Sequence, residues 1–455
     1  MYKTYKIGAF LKRNKTRVIV EDSTIYKQVT IRTHYKGVHL RGQKLGSSIG
    51  TKNQFIVSGG QFILSRIDAR HGAFGIVPDH LEGAIVTNDF WAFDLNEDLI
   101  DLHYFYNLIQ SPVFLEACVK ASRGVTNRNR IQEDFFLGYK IELPDIHEQK
   151  QVSKRIRRAK QKFKIITYEI SHQQTLLSQL KQAILQEAIQ GKLTAEWRDQ
   201  HPDVEPASTL LARIKEEKAR LSAEGKIKKQ KPLPPITEEE IPFELPEGWV
   251  WCRLGEIYEI VRGSSPRPKG DPRYWSDGRT DYHWIKIADF VPHGSEGILM
   301  DTNEFLTEEG SKHSRLVRQT DLLIAASGVG SVGKSIKLGI EGYIYDGLMA
   351  IRNIEDDTIR SFLSLFLKHK EYQIYSVASG ANWLNINTGI LSNYILALPP
   401  LDEIEIINQK MILLNRKMNS LEEQTVLTER DARRLMQAVL QEAFSGSSQQ
   451  TVNTQ

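Results

Sequence analysis

One stretch of this chain occurs twice, and that repeat limits the possible folds more than any other feature. Leu180–Gly191 reads LKQAILQEAIQG and Leu435–Gly446 reads LMQAVLQEAFSG, an offset of 255 with eight of twelve positions identical. The same offset pairs Tyr139 with Tyr394, Leu143-Pro144 with Leu398-Pro399, and Ile131 with Ile386. A register held from Ile131 to Gly191 without a gap exceeds what shared helical composition produces. It predicts a duplicated, pseudo-two-fold chain, suited to a two-part target or to two partners.

Between the Leu-Pro pair and the repeated run, each copy carries a heptad. The first places apolar side chains at Val152, Ile156, Ala159, Phe163, Ile166, Ile170, Leu177, Leu180 and Ile184, with a polar break at Gln173. The second gives Ile407, Met411, Leu414, Met418, Leu421, Thr425, Thr428, Ala432, Leu435 and Val439, a weaker stripe in the same register. Apolar residues every 3.5 positions keep one seam facing a partner helix. Proline biases its predecessor away from helix, so Leu143-Pro144 and Leu398-Pro399 each close a strand. Gly191 and Gly446 stand at helix stops. About 40 residues at a rise of 1.5 Å make a rod of roughly 60 Å. A helix packed only on its own domain needs no sustained heptad. The expectation is therefore an antiparallel coiled coil with a globular part at each end.

The remainder divides accordingly. Residues 1–145 alternate short runs such as Val18–Val20, Phe62–Leu64 and Gly83–Val86 with glycine-rich turns, then turn helical from Asp101 to Lys120: an α+β domain. Residues 146–200 hold the first heptad helix. Residues 201–245 hold a short amphipathic helix with Leu210, Leu211, Ile214 and Leu221, then a proline-rich, charged linker. A second α+β domain spans 246–400, the second heptad helix 401–446, and a polar tail expected to be disordered 447–455. Within the domains the repeat fades, and between Leu11 and His71 no counterpart is evident. That pattern suits domains that recognise different things on helices that meet the same partner.

Composition excludes little. A net charge of +4 permits nucleic-acid binding without arguing for it. Cys118 and Cys252 form neither a metal motif nor a disulfide framework, which fits a reducing compartment. No run suggests a signal peptide or a membrane span, so a cytoplasmic location is expected.

Several motifs occur in a specific order: the paired Leu-Pro entries, Gln186 through Gly191-Lys-Leu-Thr-Ala-Glu-Trp-Arg198, and Leu245-Pro-Glu-Gly-Trp249. Gly263-Ser-Ser-Pro-Arg-Pro-Lys-Gly-Asp-Pro-Arg-Tyr-Trp275 follows, then Asp321-Leu-Leu-Ile324 with Ser327-Gly328 and Gly333-Lys334. In this the chain resembles, over nearly its whole length, a specificity subunit of a type I restriction-modification system. The resemblance implies two target recognition domains, each reading half of a split site in double-stranded DNA. It also implies helices that set the spacing and dock two adenine methyltransferase subunits, with two motor/nuclease subunits joining in the restriction form. S-adenosylmethionine, and ATP with magnesium, would then sit on the partners and none on this chain. The first domain lacks a Leu-Pro-Glu-Gly-Trp counterpart.

Two other classes compete. Gly328-Val-Gly-Ser-Val-Gly-Lys-Ser335 has phosphate-loop spacing and would make the chain a nucleotide hydrolase with Lys334 on the phosphates. That geometry needs a helix directly after the loop. Ile336–Tyr345 reads as strand, so a glycine-rich hairpin is expected instead. A coiled-coil scaffold that binds only proteins is the other alternative. No His-Glu-x-x-His, no zinc spacing and no adenine-methylating Asn/Asp/Ser-Pro-Pro-aromatic turn is present, so neither a catalytic nor a metal site is assigned.

Candidate DNA contacts cluster in three places. Arg123, Asn127, Arg128, Asn129 and Arg130 fall in one loop, where arginine suits guanine or phosphate and asparagine suits adenine. The repeat sets this loop against Asn382, Trp383, Asn385 and Asn387, rich in asparagine but uncharged. Arg262, Arg267, Lys269, Arg273 and Tyr274, beside Trp275, make a rigid basic-aromatic stretch. Solvated surface with a packed Trp275 explains that stretch equally well, and a solvated basic loop remains an alternative for the first. Lys334, Arg41, Lys44, Arg66 and Arg70 are weaker candidates.

Overall fold

The computed structural model describes residues 2–123, 129–290, 297–379 and 385–445. Asn127, Arg128, Asn382, Trp383 and the 447–455 tail lie outside the described residues. The chain forms two units, Met1–His172 with Thr425–Gln455, and Gln173–Gln424.

In the first unit Lys3–Lys6 pairs antiparallel with Lys140–Leu143. A four-stranded sheet follows in the order Leu11–Asn14, Phe90–Leu95, Phe62–Ser65, Phe74–Ile76. A five-stranded sheet runs Arg17–Ile19, Asn53–Val57, Ala84–Val86, Ile25–Arg32, Gly37–Leu45. The expected helical stretch is two helices, Leu102–Leu108 and Pro112–Lys120. Pro112 opens the second because a first-turn residue needs no N–H donor. Phe62 centres the core, its ring 5.2 Å from Phe105 and 5.5 Å from Phe114.

The second unit repeats this plan. Val250–Arg253 pairs with Ile395–Leu398. One five-stranded sheet runs Glu259–Arg262, Leu348–Arg352, Leu322–Ala325, Ser335–Leu338, Ile298–Leu299. The other has Trp275–Ser276, Glu304–Leu306, His283–Ile285, Gly342–Ile344 and Arg315–Val317, and the helix Asp357–Ser379 packs on the unit's core.

Backbone hydrogen bonds make the equivalence explicit. Ile7 donates to the Tyr139 carbonyl at 2.9 Å, and Leu254 to that of Tyr394 at 2.9 Å. Ile131 donates to Arg66 and Ile386 to Ala326, both at 2.9 Å. Arg66 in turn donates to Asp89 at 2.8 Å, and Ala326 to Gly347 at 2.9 Å. Phe62–Ser65 is thus the counterpart of Leu322–Ala325, and Leu11–Asn14 of Glu259–Arg262. This corrects the expectation that Leu11 to His71 lacks a counterpart. The bonds are made by backbone, so side-chain identity was free to drift while the pairing stayed.

The heptad helices are Ile146–Ile189 and Leu401–Ser445. Within the second unit they pack antiparallel: Lys181 Nζ lies 2.7 Å from Glu422, and Lys410 Nζ donates to the Leu193 carbonyl at 3.0 Å. In the first unit Arg155 approaches Glu442 at 3.9 Å. Val152, Ile156, Ile170, Leu177, Ile407, Met411 and Met418 are buried as expected, and Ala159, Phe163, Ile184, Leu414 and Val439 partly so. Ile166, Leu180, Leu421 and Leu435 are exposed, Leu435 at 65%. At three of these places the next residue, Thr167, Lys181 or Met436, is the less exposed one. Steps of three and four can alternate in either phase, and apolar residues in both phases left the choice open. Lys181 takes its place by reaching Asn419 and Glu422.

The 226–246 segment is no loose linker. Buried Arg253 donates to the carbonyls of Pro234 and Pro235 and to Glu240, and Phe243 packs on Trp251 with ring centroids 4.9 Å apart. It is a strap on the second unit.

Candidate nucleic-acid interface

A buried carboxylate anchors the second unit. Glu403, in the first turn of the second long helix, is fully buried. It accepts from Thr194 Oγ1 at 2.6 Å, Arg198 NH1 at 2.5 Å and Trp249 Nε1 at 2.8 Å. Arg198 also donates to the Gly191 carbonyl at 2.9 Å. Gly191 has φ +71°, and a Cβ there would lie 2.7 Å from Pro246 and 2.8 Å from the Trp249 indole. Lys192 N–H donates to the Glu187 carbonyl at 2.9 Å, closing the helix end. The GKLTAEWR and LPEGW motifs are therefore one assembly, which joins the entry of the second domain to both long helices within that unit. In the first unit Tyr2 takes the place of Trp249 beside Glu148, the counterpart of Glu403. Burial, then the Glu148 charge, raises the Tyr2 pKa.

On the first domain, Ser122–Arg123 pairs with Arg130–Ile131. Arg123 lies over the Phe135 ring at 3.6 Å, and Arg130 reaches Asp89 at 3.5 Å with about half its side chain exposed. Asn129 stands beside them with a partner of its own. Arg66 stacks on Trp91 at 4.7 Å. Arg13, which the sequence reading missed, stacks on the same ring at 4.9 Å. No linear signal marks it, because its neighbours arrive from strands far along the chain. Arg41 and Lys44 are exposed on the edge strand Gly37–Leu45, away from this group in the sheet order, and Arg70 Nε bonds His71.

On the second domain, Arg262 donates to the Asp346 carbonyl at 2.7 Å and to Asn385 Oδ1 at 3.1 Å. Arg267 pairs with Asp346 at 3.0 Å. Gly263 is obligatory here, since a Cβ would lie 2.0 Å from the Tyr345 carbonyl oxygen. Arg273 is held by Asp271 at 2.7 Å and lies over Tyr274 at 5.3 Å. Lys269 is exposed with no ion-pair partner among the described residues. Trp275 packs edge-on to Trp284 at 6.3 Å. The structure thus gathers Arg262, Arg267 and Asn385, while Arg273 and Tyr274 form a separate group. Asn387 caps the helix Thr388–Asn393, its Oδ1 accepting from Ile390 N–H at 2.9 Å. That structural task occupies the oxygen the sequence reading offered to DNA.

The glycine loop leads into the strand Ser335–Leu338, paired antiparallel with Leu322–Ala325. A strand rather than a helix follows the loop, so the phosphate-cradle geometry is missing. The loop backbone packs closely on protein: a Cβ on Gly333 would lie 2.9 Å from the Glu371 carbonyl oxygen in the helix Asp357–Ser379. Lys334 is half-buried beside Glu371, whose pKa burial raises and Lys334 lowers.

Residues 2–173 and 246–428 each match the type I restriction modification DNA specificity domain. The chain belongs to that family. The type I restriction enzyme EcoAI specificity subunit of Escherichia coli is 38% identical over 207 residues, 36% of this chain and 34% of the relative. The EcoEI specificity subunit, also of Escherichia coli, is 34% identical over 234 residues, 49% of this chain and 37% of the relative. The aligned parts thus span about a third of these relatives. In fold, the chain is similar to the HsdS subunit from Thermoanaerobacter tengcongensis, with TM-score 0.60 and 19% identity over 98% of this chain and 97% of that one. A structure described for complex assembly of the type I R-M system gives TM-score 0.66 at 20% identity, covering 97% of each chain. Among the described residues no helix is long and apolar enough to cross a membrane.

Proposed function

We propose that this type I specificity chain is the non-catalytic DNA reader of its complex, each α+β domain reading one half of a bipartite site. The long helices dock two methyltransferase subunits, and in the restriction form two motor/nuclease subunits join. S-adenosylmethionine, and ATP with magnesium, belong to those partners, and the complex works in the cytoplasm.

One observation carries the reading: the family match falls separately on each half, and the halves share a backbone frame while differing at equivalent side chains. Arg130 stands where Asn385 does, a contrast expected of two readers of different bases. Support for docking comes from apolar side chains left outside the helical seam. Tyr168 and Ile165 in one unit and Ile412 and Leu413 in the other are more than half exposed. Phosphate-loop hydrolysis has no such support.

Replacing residues 1–145 by another family member's first domain should change one half of the methylated sequence and leave the other. Methylation sequencing of the host genome reads the result. Both halves changing together would defeat the two-reader scheme.

A further inference from the structure

Arg13 and Arg66 share one aromatic ring, both are half-buried, and among the described residues neither has a carboxylate partner. Trp91 lies on the strand Phe90–Leu95. Arg13 comes from the strand on one side, opposite Phe93, and Arg66 from the end of the strand on the other. Trp91 is 6% exposed. Among the described residues the Nε atoms of both arginines are buried without a hydrogen-bond partner, and the Arg13 guanidinium makes one long hydrogen bond, of 3.5 Å, to the Ala92 carbonyl. Burial, and secondarily the charge of Arg66, overcome the pull of Glu133 and lower the Arg13 pKa to about 10.

The second unit shows that the fold does not need this arrangement. The shared ladder makes Ile260, Met349 and Ala326 the counterparts of Arg13, Trp91 and Arg66. All three are buried in that unit's apolar core. A frame that closes on aliphatic side chains thus carries, in its first copy, two cations against a single ring. Burying unpaired charge is unfavourable, whereas an arriving anion supplies the missing counter-charge. Guanidinium groups pre-stacked on an indole keep their planar donors in place for such an anion. Arg130 and Lys15 add positive charge nearby, against Asp89 and Glu133.

We propose that Arg13, Trp91 and Arg66 form a phosphodiester clamp, which holds the DNA backbone on the first domain and adds affinity without reading a base. The proposal rests on the DNA-reader function above. Phosphate contacts position a protein on the duplex and carry no sequence information.

The test is the salt dependence of binding by the full chain to a labelled duplex of random sequence. Arg13→Ile with Arg66→Ala installs the residues the second unit uses, and Arg13→Lys with Arg66→Lys keeps the charge. Each lost phosphate contact lowers the slope of log K against log salt by about 0.9. The Ile/Ala variant is expected to lose about one to two units of slope. At two contacts it would weaken roughly twelve-fold less than wild type between 50 and 200 mM salt. The Lys/Lys variant should keep most of the slope, and a complex carrying the Ile/Ala variant should methylate the same sequence. A folded Ile/Ala variant, verified by its urea midpoint, with wild-type slope overturns the clamp and leaves the reader function standing. A changed base preference at unchanged slope also overturns it, in favour of base readout. A wild-type chain with no salt-sensitive DNA binding would sink the reader function itself.

Discussion

Glu403 is the residue whose removal should cost this chain most for the smallest change in shape. Glu403→Gln keeps the volume and one oxygen, which can still serve Thr194 and Arg198. Its new amide group then meets the indole N–H of Trp249, donor against donor. Trp249 is 7% exposed, so its N–H has no access to water. A buried donor left unsatisfied costs about 1–3 kcal/mol. Loss of the charge partner of Arg198 adds roughly 1 kcal/mol, kept low because that side chain is 19% exposed and retains the Gly191 carbonyl. The sum is about 2–4 kcal/mol against the second unit. Trp249→Phe removes the same donor and should cost about 1.5–3 kcal/mol. In the double variant the clash is gone, so the two losses should fall short of additive by at least about 1 kcal/mol. Amide hydrogen exchange at Lys192–Arg198, followed by mass spectrometry in the full chain, reads the opening free energy of this segment directly. Glu403→Gln within about 0.5 kcal/mol of wild type, or strict additivity with Trp249→Phe, would refute the hub.

Two further outcomes follow from the seam and the glycine loop. Met418→Ala should cost about 2–3 kcal/mol, as a buried seam residue, while Leu421→Ala should stay within about 0.5 kcal/mol; equal losses in urea unfolding would restore the heptad phase expected from sequence. Lys334→Ala should leave ATP hydrolysis by the assembled complex at its wild-type rate, because a strand follows its loop; a large loss with assembly and DNA binding intact would reinstate a nucleotide site.

What the sequence disclosed and what it hid divide along a physical line. Duplication, fold class, the helix stop at Gly191 and the strand after Ser335 are local signals, each set by spacing, a glycine or β-branched residues within one segment. The seam phase is not local. Ile166 and Leu180 satisfy a heptad on their own helix, and only the partner helix, through Glu422 and Asn419, selects Lys181 over Leu180. Glu403 was hidden because one glutamate among many gives no sign of being buried. Its three donors come from residues 194, 198 and 249, and the motifs that hold them were visible without their common target. The strap was misread because proline and charge runs describe a flexible linker equally well until Arg253 is seen to collect its carbonyls.

The two halves differ where burial should discourage difference, and the frame explains how they can. The contacts that hold Ile131 to Arg66, or Ile386 to Ala326, run from backbone to backbone, so they place no demand on the side chain at either position. A central strand flanked in this way accepts Ile260, Met349 and Ala326 as ordinary core, or Arg13, Trp91 and Arg66 as a charged stack, without a change of register. Desolvation of the two cations and their mutual repulsion are penalties, which a polyanion at the surface would relieve. A duplicated fold can then acquire two unlike recognition surfaces by substitution alone. The long helices have no such freedom, because each seam residue must fit both its own helix and the facing one. That unequal constraint suits a chain in which the run Leu180–Gly191 recurs at eight of twelve positions while the domains repeat chiefly in their hydrogen bonds.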